Sequence, residues 1–187
     1  MNSELIHAAP VTPKEKTPFT DAEVQALWKI KNEPWVDSVL FLLYTGFRIS
    51  EMFGLETANI DLKEMTMCGG VKTKSGKNRI VPIHPDIQSI VKNRIKQGSK
   101  YLFPNHGDII LVRNTFAPHW EKVMKKIGAN HTPHETRHTF RSKLDSASAN
   151  KKCIDLLMGH KSRDVGERVY THKSITELMD AIKLLSY

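Results

Sequence analysis

Two hydrophobic periods alternate along this chain, and they divide it into helical and strand-like stretches. Thr20-Asp21-Ala22-Glu23 has the form of a capping box and predicts a helix running to about Lys31. Pro34 opens a second helix, in which Val36, Val39, Leu40, Leu42 and Leu43 leave almost no polar face. That helix should be buried on most sides and should stop at Gly46. Between residues 59 and 83 the period shortens. Ile60-Asp61-Leu62, Met65-Thr66-Met67 and Arg79-Ile80-Val81, punctuated by Gly69-Gly70 and Ser75-Gly76, predict a small antiparallel meander. Helical spacing then returns, first from Pro85 to about Gly98. Phe116, Trp120, Val123, Met124 and Ile127 mark one face of a helix ending at Gly128. Further helices are expected over 134–147, 150–158 and 163–170, and a last one over 175–185. Ser174 and Glu177 cap that last helix, and Ile175, Leu178, Met179 and Ile182 share one of its faces. The pattern is α+β: mostly helices around one three-stranded antiparallel sheet. Residues 1–18 hold three prolines and no periodicity, and read as a linker, with a single domain over 19–187.

Composition narrows the class. The chain has 187 residues, 40% hydrophobic and 26% charged, which is ordinary for one globular domain. No apolar run approaches the ~20 residues of a membrane span, and the N-terminus lacks the apolar stretch of a signal peptide. Cys68 and Cys153 stand far apart, so neither a disulfide framework nor a cysteine-zinc site is expected, and a reducing cytoplasm fits.

Charge is more informative where it sits than in total. The net charge is +8, but residues 1–70 carry 6 bases against 10 acids, whereas residues 71–100 carry 8 bases against Asp86 alone. The second stretch is either a solvated face or a surface that tracks phosphates.

Five places carry candidate chemistry. Arg48 follows the apolar helix within Thr45-Gly46-Phe47-Arg48-Ile49-Ser50-Glu51, where a cation needs a partner, and Glu51 is one turn on. Lys74 lies at the tip of the expected hairpin. His134-Glu135-Thr136-Arg137-His138 matches H-E-x-x-H, the zinc-hydrolase pattern with two histidine ligands a turn apart and a glutamate base. Against that reading, Arg137 projects from nearly the same face as His134, which would set a fixed cation beside a metal. Gly159-His160 follows a helix end, and Tyr170 lies in Val169-Tyr170-Thr171-His172.

In this order the five resemble the catalytic domain of the tyrosine recombinases, the phage and transposon integrase family. That family's pattern has an arginine in T-G-x-R-x-x-E, a lysine on a β-hairpin, H-x-x-R, G-H, and a nucleophilic tyrosine near the C-terminus. Arg48 with Glu51, Lys74, His134 with Arg137, Gly159-His160 and Tyr170 match in turn, over about residues 17–185. Two departures stand out. Glu135-Thr136 replaces the common Asp-Leu, and the step from His160 to Tyr170 is ten positions where nine is common.

The resemblance implies a catalytic set of Arg48, Lys74, His134, Arg137, His160 and Tyr170, with Glu51 in support. It implies double-stranded DNA as substrate, a covalent 3′-phosphotyrosine and no metal, ATP or other cofactor. It also implies a tetramer on paired DNA sites and a monomer without DNA. A zinc hydrolase and a DNA-binding module without catalysis remain the alternatives.

Overall fold

The computed structural model describes residues 17–69, 79–160 and 174–187. Helix α1 (Asp21–Lys29) starts at the expected capping box, with the Thr20 amide donating to Glu23 Oε2 at 2.7 Å. Helix α2 (Val36–Thr45) is the centre of the molecule, and nine of its residues, from Val36 and Ser38 through Thr45, are buried. Its all-round hydrophobicity therefore has the expected cause: neighbours pack on every side. It begins two residues after Pro34, because Trp35 takes a left-handed backbone (φ 69°) at its cap.

A short helix that the hydrophobic pattern does not announce, α3 (Ile49–Phe53), follows at once. Five residues are too few to show a period, and its start is fixed instead by the Arg48 amide donating to Glu51 Oε2 at 2.7 Å.

The sheet has the expected three antiparallel strands in sequential order: β1 (Ile60–Asp61), β2 (Thr66–Gly69) and β3 (Arg79–Pro82). Gly69 pairs opposite Arg79 and Met67 opposite Val81, so Arg79 and Val81 face the core while Ile80 is exposed. The segment carrying Lys74 between these strands lies outside the described residues.

Helix α4 (Gln88–Lys96) is preceded by a 3-10 turn at Pro85–Ile87. Helix α5 (Arg113–Lys126) starts earlier than its apolar face indicates and carries Pro118 in its interior. Helix α6 (Pro133–Ser146) packs along α2, burying Thr136, Thr139, Phe140 and Leu144. Helix α7 (Lys151–Met158) is capped by Asn150 and stopped by Gly159 in a left-handed conformation (φ 61°). The expected helix over 163–170 lies outside the described residues.

Helix α8 (Ile175–Lys183) folds back onto its own chain, burying Leu178, Ala181 and Ile182 beside α7 and β3. Tyr187 closes the core beyond it. Its hydroxyl donates to the Leu43 carbonyl at 2.7 Å, and its ring lies 4.9 Å from that of Tyr44.

The basic stretch over 71–100 is not one uniform surface. Arg79 is buried and paired with Glu51. Arg94 grips Asp37 through Nε at 2.6 Å and Nη2 at 2.8 Å, and Lys100 pairs with Glu56 at 3.4 Å. Sequence spacing shows where bases fall but not which acids tertiary structure brings to them. Lys92 and Lys96 are exposed.

Candidate active site

The site grows from the end of α2. Thr45 Oγ1 donates to the Phe41 carbonyl at 2.8 Å and accepts from the Phe47 amide at 3.3 Å, so one hydroxyl finishes the helix and starts the turn. Gly46 then adopts φ 61°, and a Cβ there would meet the Phe140 ring at 2.5 Å. Only glycine satisfies both demands. Phe47 is fully buried, with Gly69 on one side, where a Cβ would lie 2.5 Å from the ring, and the Arg79 guanidinium 4.7 Å from its centroid. These contacts fix the turn that presents Arg48.

Arg48 Nη1 donates to Glu51 Oε1 at 3.0 Å, and the Arg48 side chain stays 34% exposed. Glu51 is buried and also receives Arg79, with Nη2 to Oε2 at 2.8 Å and Nη1 to Oε1 at 3.2 Å. Arg137, on α6, is 3% exposed. Its guanidinium donates to the Gly46 carbonyl at 2.5 Å and to the Met158 carbonyl. Met158 is the last residue of α7, where carbonyls lack helical partners and the helix dipole is negative, so a guanidinium is a natural cap.

Burial and the nearby charges of Arg48 and Arg79 push the Arg137 guanidinium down to about 9. It is still a cation at neutral pH. The left-handed Gly159 returns the chain so that His160 Nε2 sits 3.3 Å from Arg137 Nη2. His160 Nδ1 lies 3.4 Å from Arg141 Nη1 and 3.6 Å from Asp155 Oδ1. Burial first, then Arg137 and Arg141, lower the His160 pKa, so the ring is neutral at pH 7.

His134 is exposed on the first turn of α6, its ring 4.8 Å from that of His138. With Arg48, Arg137, Arg113 and Trp120 it lines a cleft of about 620 Å3 between α3, α5 and the start of α6. His160 joins this group through its contact with Arg137 and is not among the residues lining the cleft.

The H-E-x-x-H reading loses its base. The Glu135 carboxylate is buried, accepting from the Thr132 amide and from the Thr17 amide at 3.1 Å, with His131 Nδ1 at 3.7 Å. It is the N-terminal cap of α6 and the anchor of the chain entering the domain. Among the described residues, no three His, Cys, Asp or Glu side chains are grouped to hold a metal ion.

The structure thus holds Arg137 on two carbonyls with His160 against it, and sets Arg48, Arg137 and His134 together on the cleft. Lys74 and Tyr170 lie outside the described residues. Arg79 is the site residue that sequence reasoning missed, having been counted among surface bases. One signal could have found it. Strand alternation puts it on the same face as Val81, and an arginine on the core face of a short apolar strand needs a buried carboxylate.

A mostly helical domain with this sheet and this arginine cluster is the architecture of an integrase catalytic domain, and the comparisons agree. The chain belongs to the phage integrase family, whose profile matches residues 18–177. The tyrosine recombinase XerA of Pyrococcus horikoshii is 30% identical over 179 residues, covering 88% of this chain and 60% of XerA. The chain therefore spans about three-fifths of that relative's length. Among solved structures, the integrase from mycobacterium phage Brujita superposes with a TM-score of 0.73 at 20% identity, over 97% of this chain and 62% of that one. The Tn1549 transposon integrase, solved in complex with circular intermediate DNA, superposes with a TM-score of 0.69 at 23% identity, over 88% of this chain and 64% of that one. Among the described residues no helix is long and apolar enough to cross a membrane.

Proposed function

We propose that this chain is the catalytic part of a site-specific DNA recombinase that cuts and rejoins strands through a covalent 3′-phosphotyrosine. One observation carries the reading. Two arginines and a neutral histidine from three separate elements converge at one point, and both arginines open onto one cleft. Such a cluster has no structural economy, because like charges repel and their burial is costly. It fits a site whose ligand is an anion.

In this mechanism the Tyr170 hydroxyl oxygen attacks the scissile phosphorus, and the P–O5′ bond breaks. His134 takes the phenolic proton, which matters because a free tyrosine at pKa ~10 is hardly ionised at neutral pH. Lys74 donates a proton to the departing 5′-oxygen. Arg48 and Arg137 hold the non-bridging oxygens, where planar forks give two aligned hydrogen bonds and a permanent charge. His160, braced by Arg137, adds a further donor. The phosphotyrosine keeps the phosphodiester energy, so the 5′-hydroxyl of another strand rejoins without ATP.

Exchange between two duplexes needs four cleavages, and one nucleophilic tyrosine per chain makes the working unit a tetramer on paired sites. Without DNA the chain is a monomer, consistent with α8 folded on its own core. We read residues 19–187 as the catalytic domain and 1–18 as a linker, a division supported by the family match starting at residue 18.

The test is a nicked duplex whose 5′ fragment diffuses away after cleavage. The chain should become covalently attached at a 3′-phosphate, and Tyr170→Phe should abolish the adduct while DNA binding persists. An adduct that survives Tyr170→Phe would refute the assignment.

A further inference from the structure

Glu51 carries two arginines and treats them unequally. Arg79 takes both carboxylate oxygens, at 2.8 and 3.2 Å, with the two side chains only 5% and 7% exposed. The Arg48 guanidinium reaches Oε1 alone, at 3.0 Å, while its backbone amide donates to Oε2 at 2.7 Å, and a third of the side chain stays in solvent at the cleft. A carboxylate carries one negative charge, and the fork of Arg79 matches it in the stronger, bidentate geometry. Arg79 therefore neutralises Glu51, and Arg48 is left with a positive charge not spent inside the protein.

Arg79 is also held so that it cannot yield this place. Its guanidinium lies 4.7 Å from the Phe47 ring, Nη1 donates to the Met158 carbonyl at 3.3 Å, and its backbone is locked opposite Gly69 in the sheet.

We propose that Arg79 is a positioning residue for strand cleavage: by balancing the charge of Glu51 it keeps Arg48 available to a non-bridging phosphate oxygen. The inference rests on the recombinase reading, in which Arg48 meets that oxygen. Without Arg79, Glu51 turns both oxygens to Arg48, and the fork that should hold the substrate closes on a carboxylate instead.

The experiment uses the 187-residue chain and a duplex selected from a randomised pool by covalent capture with the unsubstituted chain. Adduct formation is then timed on that duplex and on its twin carrying a neutral methylphosphonate at the scissile position. An arginine that only offsets oxygen charge is dispensable on the twin. Arg79→Met should slow adduct formation about a hundredfold on the phosphate and less than about tenfold on the methylphosphonate. Adding Glu51→Gln to Arg79→Met should restore at least about tenfold of the loss on the phosphate, since a neutral amide does not capture Arg48.

The ratio of the two substrates on one preparation does not depend on the folded fraction. If Arg79→Met does not fold, Arg79→Gln, which removes the charge and keeps a hydrogen-bonding amide, reads the same ratio. Equal slowing on both substrates, or no restoration by Glu51→Gln, overturns the role of Arg79. Failure of the unsubstituted chain to form any adduct overturns the recombinase reading itself.

Discussion

Arg79 and Arg137 donate to the same oxygen, the carbonyl of Met158 at the end of α7. Two guanidiniums share an acceptor only where something offsets their repulsion, and here Glu51 and the α7 dipole do so. The balance is incomplete, because Arg48, Arg79 and Arg137 surround one glutamate. The surplus shows in the lowered Arg137 pKa, whose causes are burial followed by Arg48 and Arg79. In the proposed reading a phosphate completes the set, so the cluster would be more stable occupied than empty.

Tyr187 separates the two C-terminal tyrosines by experiment. Its hydroxyl is buried against Leu43, and burial first, then Tyr44 and Asp21, raise its pKa well above the ordinary value. Tyr187→Phe should cost about 1 kcal/mol of stability by denaturant titration and leave adduct formation unchanged. Loss of the adduct with this variant would move the nucleophile from Tyr170.

Gly46→Ala should damage stability and site together. It places a Cβ at φ 61° and 2.5 Å from Phe140, and shifts the carbonyl that receives Arg137. The expected loss is about 2–4 kcal/mol in chemical denaturation, from strain plus overpacking, with weaker DNA cleavage in the folded fraction.

Glu135→Gln distinguishes a cap from a catalytic base. Its carboxylate holds two amides, so the expected effect is a loss of about 1–2 kcal/mol with cleavage retained in the folded protein. Equilibration with zinc followed by gel filtration should leave no stoichiometric metal, and chelators should leave cleavage intact. One zinc per chain, or a rate lost with Glu135, would restore the hydrolase reading.

Acid should destabilise the fold in two steps. Burial lowers the pKa values of His84, His119 and His160 below 6.5, with Arg137 and Arg141 adding to the shift of His160. Near pH 6.5 the folded chain therefore binds fewer protons than the unfolded one, and stability falls as pH drops below that value. Burial raises the Glu135 and Glu23 carboxyls, but amide hydrogen bonds from Thr132, Thr17 and Thr20 outweigh it and hold both below 4.5. Their contribution is present above 4.5 and lost as pH falls further. Thermal melts from pH 7.5 to 4 should show a declining Tm with both phases, and a flat profile would contradict these environments.

The residues themselves determined most of the frame. The capping boxes at Thr20 and Ser174, the all-round apolar α2 and the glycine stops at Gly46 and Gly159 depend on neighbours within a few positions, so a linear pattern contains them. The sheet was legible for the same reason, since alternation and turn residues are local. Arg48 and His160 could be singled out because an arginine or histidine beside a helix-ending glycine is conspicuous in one dimension, and Arg137 because it stands three residues after His134 in H-x-x-R.

Tertiary structure alone decided what each charge does. It buried Arg79 on Glu51, 28 residues away, and turned Glu135 from the centre of a metal motif into a helix cap holding Thr17, 118 residues away. It tied Arg94 to Asp37 at the far end of α2. Hydrophobic period records which side of an element faces inward, because burial acts on one residue at a time. An ion pair depends on two residues meeting at about 3 Å, and nothing in the spacing of either one encodes that distance.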